Sequence, residues 1–181
     1  MNKKYTATIF AILAAALYAI NIPLSKILLQ QVLPTMMAAF LYLGAGFGLF
    51  LYGTIAKEQG QRLTKSELPY TIGMVVLDIA APILLMLGLK STNSANASLL
   101  NNFEIVATSL IAFFVFREKL SARLTIAIAL VTAASIALSF EGKGSFQFNT
   151  GSLFILAAAC CWGLENNCTR MLSNKSSVQI T

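Results

Sequence analysis

Long apolar runs separated by short polar breaks set the rhythm of the chain. Six runs stand out: Tyr5–Leu29, Pro34–Ile55, Leu68–Leu89, Ser94–Phe116, Ala122–Phe140 and Ser152–Leu172. A bilayer's hydrocarbon core takes about 20 helical residues, and each run is near that length. Because lipid cannot satisfy a backbone amide, such a run is expected to satisfy its own as a helix. The pattern predicts an all-α, polytopic transmembrane helix bundle of about six spans joined by short loops. The breaks carry matching punctuation: Thr64-x-x-Glu67 and Ser121 fit N-caps for the third and fifth spans, and Pro34 suits a first helical turn.

The fourth span is polar on one side. At about 100° per residue, Ser94, Ala97, Asn101, Glu104 and Thr108 fall on one narrow stripe, with Ser98 and Asn102 on its shoulder. Bare hydrocarbon costs a mid-span carboxylate roughly 2.5 to 3.5 kcal/mol, so the stripe is expected to face protein, a cavity or a substrate. Asp78 lies near the middle of the third span, and Pro82 cannot donate the bond that the Asp78 carbonyl normally accepts. Consecutive antiparallel spans put Asp78 and Glu104 at similar depth, where a close pair would bind a proton or balance a cation. The plainer reading is two hydrogen-bonded acids that hold helices together.

Other spans add to this picture. Tyr18, Asn21 and Ser25 share a face of the first span, which Pro23 can kink. Glu165, with Trp162, Asn166 and Asn167 around it, is expected at the same cavity; its alternative is a pair with Arg170. Lys26 reads as a snorkelling anchor and Glu118 as a residue ordering the turn after the fourth span. Gly44-x-Gly46-x-Gly48 lies inside an apolar run and reads as close helix packing rather than a phosphate loop.

Composition agrees with the pattern: 57% of residues are hydrophobic and 11% charged, with mean hydropathy +0.74. The net charge of +6 reads as topology rather than nucleic-acid binding. With the N-terminus cytoplasmic, only Lys26, Lys90 and Lys143 of the 13 basic residues fall outside or near the outer face. The apolar run continues past Ala19, so the start reads as a first anchor rather than a cleaved signal. With no histidine and three cysteines near one end, no metal site, cofactor or catalytic residue is expected, and no Walker motif provides for phosphate-driven transport.

The last run repeats the first. Phe10 aligns with Phe154, Ala14-Ala15 with Ala158-Ala159, Tyr18-Ala19 with Trp162-Gly163, and Ser25-Lys26 with Thr169-Arg170. An odd number of intervening crossings makes this an inverted repeat of the kind that builds secondary transporters. The expected organisation is a five-helix repeat over residues 1–140, then a loop and the first helix of a truncated second repeat over 141–181.

Three segments resemble drug/metabolite transporter superfamily proteins of the EamA type. Tyr18-Ala19-Ile20-Asn21-Ile22-Pro23 is similar to the Trp-Gly-x-Asn-Phe segment of that family's first helix. Thr92-x-x-x-Asn96-Ala97 through Phe103-Glu104, then Phe116-Arg117-Glu118-Lys119-Leu120-Ser121, resembles its fourth helix and terminal Glu-x-Leu signature. Trp162-Gly163-Leu164-Glu165-Asn166-Asn167 resembles the opening of its second repeat. The resemblance implies ten helices in two inverted units that move small metabolites or drugs, often outward. Ile105 replaces the proline common after the mid-span glutamate, which suggests a straighter fourth helix.

The residues and the resemblance together predict a multi-pass inner (plasma) membrane permease, not an enzyme, working by alternating access and coupled to a proton or a substrate gradient. Its pathway residues are expected to be Glu104, Asp78, Asn101, Thr108, Tyr18, Asn21, Trp162 and Glu165. The expected partners are a small-molecule substrate, the lipid bilayer and a proton. One rival reading completes the cavity by homodimerisation of a complete chain. Others are a truncated, inactive fragment and a non-transporting membrane assembly protein.

Overall fold

A computed structural model describes residues 3–56, 63–117, 121–141 and 150–175. Seven helical segments follow one another: α1 (Lys3–Leu28), α2 (Pro34–Ala56), α3 (Leu68–Ser91), α4 (Ser94–Asn101), α5 (Phe103–Phe114), α6 (Ala122–Glu141) and α7 (Thr150–Met171). The stretches Thr8–Leu28, Pro34–Ile55, Leu68–Ser91 and Ser94–Phe114 are long and apolar enough to cross a membrane. The architecture is an all-α membrane bundle. Exposed apolar side chains such as Phe10, Leu17, Phe47 and Phe50 cover the outsides of α1 and α2, as contact with lipid or further protein requires.

Local sequence accounts for the helix boundaries. Pro34 opens α2, where its missing amide hydrogen costs nothing. Ser121 Oγ accepts from the Leu124 amide at the start of α6, and Asn93 Oδ1 accepts from the Asn96 amide at the start of α4. Half of the expected capping box forms at Thr64, whose amide donates to Glu67 Oε2 at 2.8 Å. The helix begins only at Leu68, however, because residues 65–67 form a turn. Glu67 also accepts from Asn174 and pairs with Lys175 at 3.1 Å, tying the start of α3 to the end of α7. Arg117 adopts φ 54° just after the fourth span, a left-handed stop more often given to glycine. Glu118 lies outside the described residues.

The fourth span is not one continuous helix, although no proline follows Glu104. It is interrupted at Asn102, where Asn102 N donates to Leu99 O and Ile105 N to Asn102 O, both in i to i−3 bonds. Consecutive asparagines are weak helix formers, and the tighter turn forms there.

The helix that organises the bundle is α7. It packs along α3 and also against α4 and α5, whereas α3 and α5 make little direct contact. Gly88 meets Gly151 and Gly73 meets Cys168, so α3 and α7 are antiparallel. Gly163 lies against Ala107 and Thr108, and Gly151 against Thr92, so α7 runs alongside α4 and α5 in the same direction. Lys26 beside Leu89, and Tyr18 beside Asn101, set α1 parallel to α3; α1 and α7 therefore run in opposite directions.

Glycine makes these approaches possible. A Cβ on Gly88 would stand 2.6 Å from the Gly151 carbonyl oxygen, and one on Gly163 would stand 2.7 Å from Ala107 Cβ. Gly44, Gly46 and Gly48 behave otherwise: a Cβ at any of them meets nothing within 4 Å, so the close packing expected there is not made by the described residues.

Two apolar clusters stabilise the bundle. The larger joins Ile22 of α1 and Leu29 just past it, Ala38 of α2, Leu85 and Leu89 of α3, and Ile155 of α7, with Trp162 against it. The smaller joins Met74 of α3 to Cys168 and to Leu172, just past α7. Along both α3 and α7 a short stretch lies between the clusters, and there stand Asp78 and Glu165.

Candidate functional site

Six helical segments bring polar side chains to this level. Asn101, at the end of α4, donates from Nδ2 to Tyr18 Oη of α1 at 3.2 Å. Its Oδ1 is buried without a hydrogen-bond partner among the described residues, and the residue is only 6% exposed. Such an orphaned acceptor costs roughly 1–3 kcal/mol unless a water or a ligand donates to it. Asn21, one turn after Tyr18, accepts instead from the fully buried Ser25 at 3.0 Å. That bond spans one turn of α1.

Glu104 stands one turn beyond Asn101, at the start of α5. Its Oε1 accepts from Asn166 Nδ2 at 2.9 Å, and the same amide reaches Thr108 Oγ1 at 3.3 Å. Thr108 Oγ1 donates to the Glu104 carbonyl at 2.8 Å, and the Thr108 carbonyl accepts from Asn167 Nδ2 at 3.0 Å. Asn167 also donates to the Gly163 carbonyl at 2.7 Å. The close approach at Gly163 thus lets two consecutive amides stitch α5 to α7. An amide in an apolar helix is costly until it finds such partners.

Glu165, on α7, accepts from Thr169 and interacts electrostatically with both Asp78 and Glu104. It joins the expected Asp78–Glu104 pair as a third acid: α7 packs against both α3 and α5, which make little direct contact with each other. On the far side Tyr42 Oη of α2 donates to Asp78 Oδ1 at 3.4 Å, and Tyr42 also interacts with Trp162 and with the charge of Glu165. Tyr18 feels the charge of Glu104. The polar groups therefore run from Tyr18 and Asn101 through Glu104, Asn166 and Glu165 to Asp78, Trp162 and Tyr42.

Three polar residues around these acids, Asn166, Asn167 and Tyr42, were not among the candidates read from the sequence. Asn166 and Asn167 were seen only as neighbours of Glu165, although paired amides within an apolar helix themselves signal partners. Tyr42 gave little signal, being an aromatic residue in an apolar span. Lys26 is not a free anchor: its ammonium donates to the Leu89 and Lys90 carbonyls at 2.6 and 3.1 Å, satisfying oxygens at the end of α3. Of the cysteines, Cys168 packs in the smaller cluster while Cys160 faces outward.

Beside Asp78 a cleft of about 430 Å³ opens between α2 and α3. Its walls are apolar except for Thr35, Tyr42 and Asp78. The arrangement provides carboxylates, amides and aromatic hydroxyls at one level of a membrane bundle, which suits binding of a polar or charged group.

A profile described as the EamA-like transporter family matches residues 6–140. The chain is 29% identical, over 187 aligned residues, to a protein of Methanothermobacter thermautotrophicus (strain Delta H) named "Uncharacterized transporter". That alignment covers 94% of this chain and 52% of the relative, so the chain spans about half the length of the curated relative it matches. No solved structure matches the chain.

Proposed function

The chain belongs to the EamA-like transporter family, and from that premise we propose that it serves a plasma-membrane permease for small organic solutes working by alternating access. The carrying observation is the position of Glu165, which interacts with both Asp78 and Glu104 at one level of the bundle. Three carboxylates in a medium of low dielectric repel one another, and a proton or a cationic group on the solute relieves that repulsion. Exchange of one cation for another gives the bundle a reason to change state.

In this reading Asn101, Tyr18 and Thr108 line the route on one side, and Trp162 and Tyr42 on the other. The α5–α7 seam is the surface that must slip, because its amides carry most of the bonds around Glu104. The N-terminus is cytoplasmic, as the distribution of basic residues favours. Export is the direction that the family resemblance favours. The inverted repeat with a second unit beginning at α7 belongs to the same proposal, and the opposed directions of α1 and α7 are compatible with it.

A second reading has one observation in its favour: each acid already has a hydrogen-bond donor, namely Asn166, Thr169 or Tyr42. Such pairs would suffice for a membrane assembly protein without transport. Solute flux into proteoliposomes carrying the purified protein separates the two, screened across amino acids, amines and apolar drugs. Saturable, protein-dependent flux of at least one class supports the permease; none across all classes supports the assembly role.

A further inference from the structure

We propose that the cleft between α2 and α3 binds the apolar body of an amphiphilic organic cation, with its ammonium group on Asp78. The assignment deepens the permease reading and rests on it, because it names the substrate class of that route.

Size comes first. About 430 Å³ falls in the range of roughly 300–1,000 Å³ common for small-molecule sites. The cleft exists because α2 presents Ala38 and Ala39 where larger side chains would close it. Leu43 of α2 and Ile79, Pro82 and Ile83 of α3 form the remaining apolar wall, which suits an alkyl or aryl body rather than a sugar or a phosphate.

Charge decides the class. The cleft has one ionisable carboxylate, Asp78, and no lysine or arginine in its lining. Apart from the long contact with Tyr42, the Asp78 side chain accepts no hydrogen bond from a described residue. Pro82 lies one turn on, in the same wall, and has no amide hydrogen to donate to the Asp78 carbonyl. The carboxylate and carbonyl of Asp78 are thus two acceptors short of donors, on a residue of a cleft whose other polar lining is Thr35 and Tyr42. Glu165 adds negative potential beside Asp78, and Tyr42 brings an aromatic ring to the lining, a group that attracts cations. An anionic solute would face repulsion from both acids, and a neutral one would leave Asp78 unpaired.

Trp162, the chain's one tryptophan, interacts with Tyr42 and so reports on the cleft by fluorescence. The test titrates the purified full chain in detergent with 4-phenylbutylammonium, with 4-phenylbutan-1-ol as its neutral counterpart. The expected result is saturable quenching by the amine at a Kd at least tenfold below that of the alcohol. Asp78→Asn should erase that difference while leaving the alcohol's Kd unchanged, Asp78→Glu should restore it, and Ala39→Phe should weaken both ligands. An amine Kd unchanged in Asp78→Asn, or an alcohol that binds the wild-type protein as tightly as the amine, would overturn the assignment. Binding is read without transport, so the two proposals fail separately. Flux of some other solute with no amine binding sinks the cation site alone, whereas amine binding without flux of any solute sinks the permease and spares the site.

Discussion

Asn166 of α7 donates to the Glu104 carboxylate of α5 at 2.9 Å and shares the same amide with Thr108. A half-buried carboxylate that loses its donor keeps its desolvation cost without the bond, about 1–3 kcal/mol. Asn166→Ala is therefore expected to lower stability by roughly 2 kcal/mol, and Glu104→Ala combined with it by less than the sum of the two single changes. Unfolding midpoints in detergent for the four proteins of this cycle measure the coupling. Additive losses would mean that the two side chains do not depend on each other.

The helix approaches at Gly88 and Gly163 leave no space for a methyl group. Gly88→Ala and Gly163→Ala should each destabilise the bundle by about 1–3 kcal/mol, the usual range for overpacking. Gly46→Ala, made where nothing lies within 4 Å, should be neutral or stabilising by up to about 1 kcal/mol, since alanine is the better helix former. Thermal unfolding followed by size-exclusion chromatography ranks the three.

Lys26 closes the end of α3 by donating to two of its last carbonyls. Lys26→Met keeps the apolar stem and removes the ammonium, with an expected loss of about 1–2 kcal/mol. Hydrogen exchange should then rise in the last turn of α3 and leave the α5–α7 seam unchanged. Faster exchange at both would show that the lysine holds more than this one helix end.

Glu67 gives the bundle a dependence on pH. The Thr64 amide and side chain, then Asn174 and Lys175, favour its charged form and hold its pKa down to about 2, from an ordinary 4.5. A carboxylate with a lowered folded pKa stabilises the fold fully above its unfolded value and loses that contribution as pH falls through the folded one. The tie between α3 and α7 should therefore be intact above about pH 4.5 and weaken toward about pH 2. Unfolding midpoints of Glu67→Gln should lie below wild type at neutral pH and converge with it under acid. A constant offset at every pH would assign the residue another role.

Much of this bundle was legible one helix at a time. The apolar runs predicted the helices to within a few residues, because lipid demands that each satisfy its own backbone, and four of the runs are, among the described residues, long and apolar enough to cross a membrane. Pro34 and Ser121 marked helix starts through strictly local bonds. The resemblance carried by Asn96, Ala97 and Glu104 gave the family. What the sequence did not reveal is which apolar face meets which. Spans three and four follow each other in the chain, yet it is α7, brought close by Gly88, Gly151 and Gly163, that packs against both. The same gap explains Gly44, Gly46 and Gly48, whose spacing says that a partner can approach but not that one does. Asn102 marks a local feature that went unread: Ile105 in place of a proline suggests a straighter fourth helix, while the paired asparagines interrupt its hydrogen-bond ladder.

Glu104 is where the account can be tested most directly. Glu104→Gln keeps the size and hydrogen-bonding capacity of the side chain and removes only its charge, so the protein should insert and purify as wild type does. Solute flux in proteoliposomes, measured side by side for both proteins, is predicted to fall at least tenfold in the variant. Flux equal to wild type in a correctly inserted Glu104→Gln protein would contradict the claim that these acids form the transport route.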